Sequence, residues 1–168
     1  MGIIIRDEQP DDIEDIAGLT EAAFRDEEHS SHTEHFIVDA LRRASRLTVS
    51  LVAVDNDVVV GHVAISPVTI SSGESGWFGL GPVSVLPDRQ GQGIGSGLMH
   101  AALGRLRQLG ASGCVVLGDP GYYGRFGFKV DPDLRLPGVP AEYFQAISFT
   151  GAMPTGDVSY HQSFEATE

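Results

Sequence analysis

Four glycines, Gly91, Gly93, Gly95 and Gly97, fall at every second position just after Arg89 and Gln90. Glycine has no Cβ, so a ligand can approach the backbone closely there, and φ values closed to other residues are open. An apolar-periodic run follows: Ile94, Leu98, Ala102, Leu106 and Leu109, three or four apart, share one face of a predicted helix. The first N–H groups of a helix have no partner inside it, and the helix dipole makes that end partly positive. A glycine turn feeding a helix start is therefore suited to an anion, most naturally a phosphate. Arg89 adds a positive charge at the mouth.

The flanks define the unit. Val83-Ser84-Val85-Leu86 reads as a strand, and Pro87-Asp88 ends it in a turn. Gly110 stands where a left-handed helix C-cap is expected. Three phosphate-binding motifs compete for this strand, turn and helix. A Walker A loop ends in Gly-Lys-Ser/Thr, and no lysine stands here. A dinucleotide fingerprint is G-x-G-x-x-G near the first βα turn, whereas this chain has G-x-G-x-G-x-G in its middle. The third option is Gln90-Gly91-Gln92-Gly93-Ile94-Gly95, which reads Q/R-x-x-G-x-G/A after a V-x-V strand. It resembles the acyl-CoA-binding motif of the GNAT N-acyltransferase superfamily.

The resemblance extends further. A second strand, Cys114-Val115-Val116-Leu117-Gly118, follows the helix, and then Tyr122-Tyr123-Gly124-Arg125-Phe126-Gly127-Phe128. Many GNAT members carry Y-x-x-x-G-F at this place, and Tyr123 with Gly127-Phe128 matches it. Gly79 to Phe128 is similar to a bacterial subgroup of predicted N-acetyltransferases. The resemblance implies an α/β fold: a single mixed sheet of about seven strands flanked by helices, with splayed central parallel strands. It implies acetyl-CoA as acyl donor and an amine on a small molecule or peptide as acceptor. Attack would be direct, in a ternary complex. Val83 and Val85 would supply strand contacts to the pantetheine arm. The backbone N–H groups of Gly91, Gln92, Gly93, Ile94, Gly95 and Ser96 would hold the pyrophosphate, with Gln90 also assigned to the cofactor site. Tyr123 would donate a proton or a hydrogen bond to the departing thiolate, with Tyr122 its rival if the register slips. Two other functions stay open: a CoA-binding sensor or interaction module without turnover, and transfer of a longer acyl group.

The elements that must position these residues follow in order. Ile3 to Arg6 reads as a first strand. Pro10 with Asp11, Asp12, Glu14 and Asp15 marks a helix start, since the dipole favours acids there. A second helix is predicted to begin near Thr33 or Glu34. Leu47–Val54 and Val58–Ser66 read as strands joined by the hairpin turn Asp55-Asn56-Asp57. Trp77–Val85 is an irregular strand, because Gly79, Gly81 and Pro82 interrupt it. Residues 131–140 are turn-rich, and Tyr143–Phe149 and Val158–Phe164 complete the expected sheet.

Composition limits the rest. The 168 residues are expected to form one domain, 1–168, with an ordinary 42% hydrophobic content. A net charge of −12 argues against nucleic-acid or anionic-membrane binding. The charge is uneven: residues 1–50 hold twelve acids and five bases, residues 86–128 two acids and four bases. No apolar run has the length of a membrane span, and the start lacks a signal-peptide pattern. The single Cys114 lies in an apolar strand, which suits a reducing cytoplasm and a packing role. His29, His32 and His35 are spaced by three but have no Cys or fourth ligand beside them, so no metal is expected. His62 is read as a core residue. No general base is legible; Glu74, Asp119, His62, Glu27 and Glu28 lack any spacing argument. The resemblance leaves room for a homodimer.

Overall fold

The computed structural model describes residues 2–27 and 30–168. The first strand, β1 (Ile4–Asp7), pairs antiparallel with β2 (Val49–Asp55), and β2 pairs with β3 (Val58–Ile70). The β2–β3 hairpin turns at Asn56 and Asp57, both at positive φ (49° and 67°). Asn and Asp tolerate that region, and such a turn matches the twist of the strands it joins. Antiparallel pairing continues from β3 to β4 (Trp77–Val85). The register slips between Val63 and Ile65, opposite the cis Gly81–Pro82 bond. A proline has no N–H to give a ladder, so the irregularity falls where the sequence reading puts it.

The parallel pairing is short. β4 meets β5 (Gly113–Leu117) only over Trp77–Gly79 against Gly113–Val115. Beyond Gly79 the two strands part. Their other edges are held elsewhere: β3 runs along β4, and β7 (Phe144–Ser148) pairs antiparallel with all of β5. The expected splay of the central strands is thus present.

Helix α1 (Ile13–Phe24) follows a single 3-10 turn at Pro10–Asp12. Asp12 accepts from the Gln9 N–H at 2.7 Å and from Arg6 at 2.7 and 3.2 Å, which ties the helix start to β1. Helix α2 (Glu34–Arg43) packs beside α1. Helix α3 (Ile94–Gln108) buries Ile94, Leu98, Met99, Ala102, Leu103 and Leu106. Leu109, expected on that face, is 56% exposed. It stands at the C-cap, where the chain leaves the helix through Gly110 (φ 78°), and Met99 and Leu103 fill the face instead. The helix ends by paired bonds, Ala111 N–H to the Leu106 carbonyl at 3.0 Å and Gly110 N–H to the Arg107 carbonyl at 3.1 Å. That is the Schellman pattern, and it needs the left-handed residue.

Two apolar layers result. One lies between the sheet and α3 and includes Val63, Ile65, Leu80, Leu98, Met99, Leu106 and Cys114. On the other face, Ile16, Leu19 and Val38 of α1 and α2 cover Val52 and Ala64. Further along that face, Val68, Trp77, Val115, Phe144 and Val158 form a third cluster.

Among the described residues the sheet has eight strands, one more than the seven or so expected. The addition is β6 (Leu134–Arg135), two residues pairing parallel with β8 (Gly156–Tyr160). It sits in the stretch read as turns, where Pro132, Pro137 and Gly138 mask so short a pairing. The last expected strand is also shorter than Val158–Phe164: after Tyr160 the chain turns 3-10 over Gln162–Glu165. His161 caps that turn, its Nδ1 accepting from the Ser163 N–H at 3.1 Å.

Candidate functional site

The first helical bond of α3 runs from Gly97 N–H to the Gly93 carbonyl at 3.0 Å. The N–H groups of Ile94, Gly95 and Ser96 therefore have no partner within the helix. Gly91 and Gly93 hold φ values of 77° and 84°, the left-handed region where a side chain costs energy. An added Cβ at either would meet no protein atom within 4 Å. The open ground above the turn is a cavity of about 460 Å³. Its wall holds Val83 and Val85 of β4, then Arg89, Gln90, Gly91, Gly93, Ile94, Gly95 and Ser96. Tyr122, Tyr123 and Arg125 close the far side.

The sequence-derived set is thus brought together with one exception. Gln92 stands off the cavity wall, and its side chain accepts from Arg89 Nε at 3.2 Å. Gln90 reaches back, its Nε2 donating to the Val85 carbonyl at 3.2 Å.

Two short elements aim the tyrosines. Asp119 caps helix α4 (Pro120–Tyr123) by accepting from the Gly121 N–H at 2.9 Å, and Pro120 occupies the first helical position. Both features favour a helix start. Tyr123 then packs on Gly118, just past the end of β5: a Cβ at Gly118 would fall 2.5 Å from its Cε2. Only glycine at 118 lets the ring sit so low, beyond the point where β4 and β5 part. Burial pushes the Tyr123 hydroxyl up to about 12, with the neighbouring Tyr122 and Asp119 adding to it. It is a proton donor, never a phenolate, at neutral pH. Tyr122 leans instead on the helix start, its hydroxyl 3.0 Å from where a Gly95 Cβ would be.

The two arginines at the mouth differ. Arg89, the charge legible beside the glycine turn, is bound to Asp55 at 2.8 Å, which neutralises much of it. Arg125 has no such signal in the sequence. It donates to Ser96 Oγ at 3.0 Å and lies 4.9 Å from the centre of the Tyr122 ring. The basic bias of residues 86–128 points to this region, but a charge count does not say which arginine reaches the turn.

A polar chain runs behind the site. Arg42 donates to Glu8 at 2.7 and 2.9 Å, and Ser50 Oγ donates to Glu8 from the other side. Ser50 has then used its proton, so His62 Nε2, at 2.8 Å, must be the donor to it. Burial pushes Glu8 up, but the bonds from Arg42 and Ser50 outweigh it and hold the carboxylate below its usual range. His62 is wholly buried, and burial lowers it to about 4 despite the pull of Glu8. It is neutral.

Of the other acids considered for a base, Glu27 is exposed, Glu74 lies in the exposed turn before β4, and Asp119 is engaged as a cap. Glu28 and His29 fall outside the described residues. His35 Nε2 stands 3.6 Å from Glu21, and among the described residues no group of three His, Cys, Asp or Glu is placed to hold a metal. Cys114 is buried, and burial pushes its thiol far up. Among the described residues no helix is long and apolar enough to cross a membrane.

Residues 4–130 match the family model described as "Acetyltransferase (GNAT) domain". The uncharacterized N-acetyltransferase YhbS of Escherichia coli (strain K12) is 34% identical over 169 residues, covering 96% of this chain and 98% of that protein. The crystal structure of YhbS from Escherichia coli in complex with CoA has a TM-score of 0.87 at 35% identity, over 99% of this chain and 93% of that one. A GNAT family acetyltransferase from Brucella melitensis, solved in complex with acetyl-CoA, has a TM-score of 0.87 at 52% identity, over 97% and 98%.

Proposed function

The chain belongs to the GNAT acetyltransferase family, and on that footing we propose that it transfers the acetyl group of acetyl-CoA to a primary amine by direct attack in a ternary complex. It is an acetyl-CoA-dependent N-acetyltransferase; relatives with 35% and 52% identity have been solved with CoA and acetyl-CoA bound. The observation that carries the site assignment is the cavity over the left-handed Gly91–Gly93 turn, walled by β4 on one side and Tyr123 on the other.

In this reading the backbone N–H groups of Gly93 to Ser96 hold the pyrophosphate, with Arg125 adding charge. Val83 and Val85 line the pantetheine arm where β4 is free of β5. The acceptor nitrogen attacks the thioester carbon. The C–N bond forms, the C–S bond breaks, the nitrogen gives up its proton to water, and the sulfur leaves as the thiolate. Negative charge gathers first on the thioester oxygen, which an unpaired backbone N–H of the splayed strand can stabilise. It then gathers on sulfur. A thiol has a pKa of about 8.5, so a phenol held near 12 does not hand over its proton fully. Tyr123 instead donates a strong hydrogen bond to the thiolate.

The test is release of free thiol from acetyl-CoA against a panel of primary amines. At least one amine should raise the rate above that with water alone. If the protein binds acetyl-CoA and no amine raises it, the chain is a CoA-binding module without turnover.

A further inference from the structure

Gln145 is wholly buried in β7, between Phe144 and Ala146. Its Oε1 finds no hydrogen-bond partner among the described residues, and an orphaned buried amide oxygen costs free energy. An apolar side chain of the same length would avoid that cost. The other end of the amide is engaged: Nε2 donates to the Gly118 carbonyl at 3.1 Å. A carbonyl oxygen takes only a donor, so this bond also fixes which end of the amide faces Gly118. That bond is what a glutamine supplies here and a methionine would not.

The Gly118 carbonyl and the Asp119 N–H belong to one planar peptide unit. On one side of that unit, Gly118 is the floor on which the Tyr123 ring rests. On the other side, Asp119 starts α4: its carboxylate accepts from the Gly121 N–H at 2.9 Å, and its carbonyl accepts from the Tyr123 N–H at 3.0 Å. Both supports of Tyr123 therefore hinge on the same peptide. The β5–β7 ladder ends just before it, at Leu117 and Phe144. Beyond that point the Gly118 N–H donates to the Tyr143 carbonyl at 2.8 Å, and the Gln145 side chain holds the Gly118 carbonyl. Glycine is the residue most free to turn when such bonds are missing. Gln145 shares a face of the sheet with its ladder partner Val116, in the cluster against which Tyr123 and Phe128 pack.

We propose that Gln145 is a positioning residue for Tyr123: by holding the Gly118 carbonyl it fixes the Gly118–Asp119 peptide, and with it the place of the Tyr123 hydroxyl at the sulfur of bound CoA. The assignment rests on the acetyl-transfer reading above, in which Tyr123 bonds to the departing thiolate. A hydrogen bond weakens steeply as its angle closes, so a small swing of the ring is enough to lose much of it. The phenol keeps its proton at neutral pH, since burial pushes it up to about 12. Gln145 is not on the wall of the cofactor cavity, so its loss should leave the binding of the nucleotide end alone.

The probe is CoA itself, its bound thiol titrated by the ultraviolet absorbance of the thiolate. A hydrogen bond from Tyr123 lowers the pKa of that thiol, so Tyr123→Phe should raise it by about one to two units, the scale of one charge-assisted bond. Gln145→Met keeps the volume and loses the bond to Gly118. It should raise the same pKa by about half a unit to one unit, with Tm near wild type. CoA affinity at about pH 6, where the thiol is neutral, should stay within about twofold of wild type. In the Tyr123→Phe background the same change should add nothing, because the hydroxyl it positions is gone. Gln145→Leu takes its place if Gln145→Met does not fold. Tyr122 and Asp119, the other groups that bear on the phenol, are unchanged in every variant. A thiol pKa in Gln145→Met equal to that of wild type, or a shift as large with Tyr123→Phe as without it, would overturn the proposal and leave the acetyl-transfer reading standing. A Tyr123→Phe value equal to wild type would overturn the role of Tyr123 in that reading, and this assignment with it. Wild type that fails to bind CoA would overturn the reading as a whole.

Discussion

Tyr122 and Tyr123 meet edge to face, ring centres 5.0 Å apart at 85°, yet each leans on a different glycine. Tyr122 overhangs Gly95 at the helix start, and Tyr123 rests on Gly118 at the fork. Neighbours in sequence, they line different parts of one cavity. Tyr123→Phe keeps the ring and its packing on Gly118 but removes the hydroxyl that the proposed mechanism sets beside the leaving group. General-acid or hydrogen-bond help of this kind is worth about 10²–10⁴-fold in rate. We expect kcat to fall in that range with acetyl-CoA affinity near normal. Tyr122→Phe should change kcat little. Steady-state rates and calorimetry on both variants check this, and equal kcat in Tyr123→Phe and wild type, with chemistry rate-limiting, would make the ring a packing group.

Arg89 and Arg125 should separate in binding. Arg89 is tied to Asp55, whereas Arg125 stands over the helix start through Ser96. Arg125→Ala should weaken acetyl-CoA by about tenfold, the scale of one charge-assisted bond, and Arg89→Ala by less. The comparison is made by calorimetry at fixed ionic strength.

His62 sets an acid limit on stability. Its folded value, about 4, lies below the ordinary 6.5. Above about 6.5 it is neutral in both states. Between the two values the unfolded chain takes up a proton that the folded chain refuses, so stability falls as pH drops through this window and the loss levels off below about 4. The ceiling is on the order of 3 kcal/mol. Glu8, held low by Arg42 and Ser50, adds a loss as pH falls through its own lowered value. His62→Asn should be less stable than wild type at about pH 7.5, yet its Tm should fall less between about pH 6.5 and about 4.5. Parallel Tm curves would contradict the assignment.

Cys114 should be silent in thiol assays. It is buried in β5, and only its protonated form is stable there. A thiol reagent should label none of it in native buffer and one equivalent in denaturant.

Much of this site is written in local sequence. The glycine turn, the C-cap at Gly110 and the apolar face of α3 depend on residues a few positions apart, and φ preference and helical period expose them. The Asp55-Asn56-Asp57 turn is legible for the same reason. What stays hidden depends on long-range geometry. Arg125 reaches Ser96 across 29 positions, and Glu8 reaches Ser50 across 42. Gln145 looks like any polar residue in a strand until its bond to Gly118 is known. Leu109 misleads because helical period alone does not say where the helix stops. β6 is invisible because two paired residues carry no pattern.

If acetyl-CoA sits on the Gly91–Ser96 turn, Gly93→Val must lose it. A valine side chain at 93 would meet no protein atom at its Cβ and would fill the ground above the turn, at a backbone strain of about 1–2 kcal/mol. Loss of the backbone bonds to phosphate should weaken acetyl-CoA by about a hundredfold or more. Calorimetry on wild type and Gly93→Val, with fold checked by Tm, should show tight binding in the first and none measurable in the second. Equal affinity in two folded proteins would place the cofactor elsewhere.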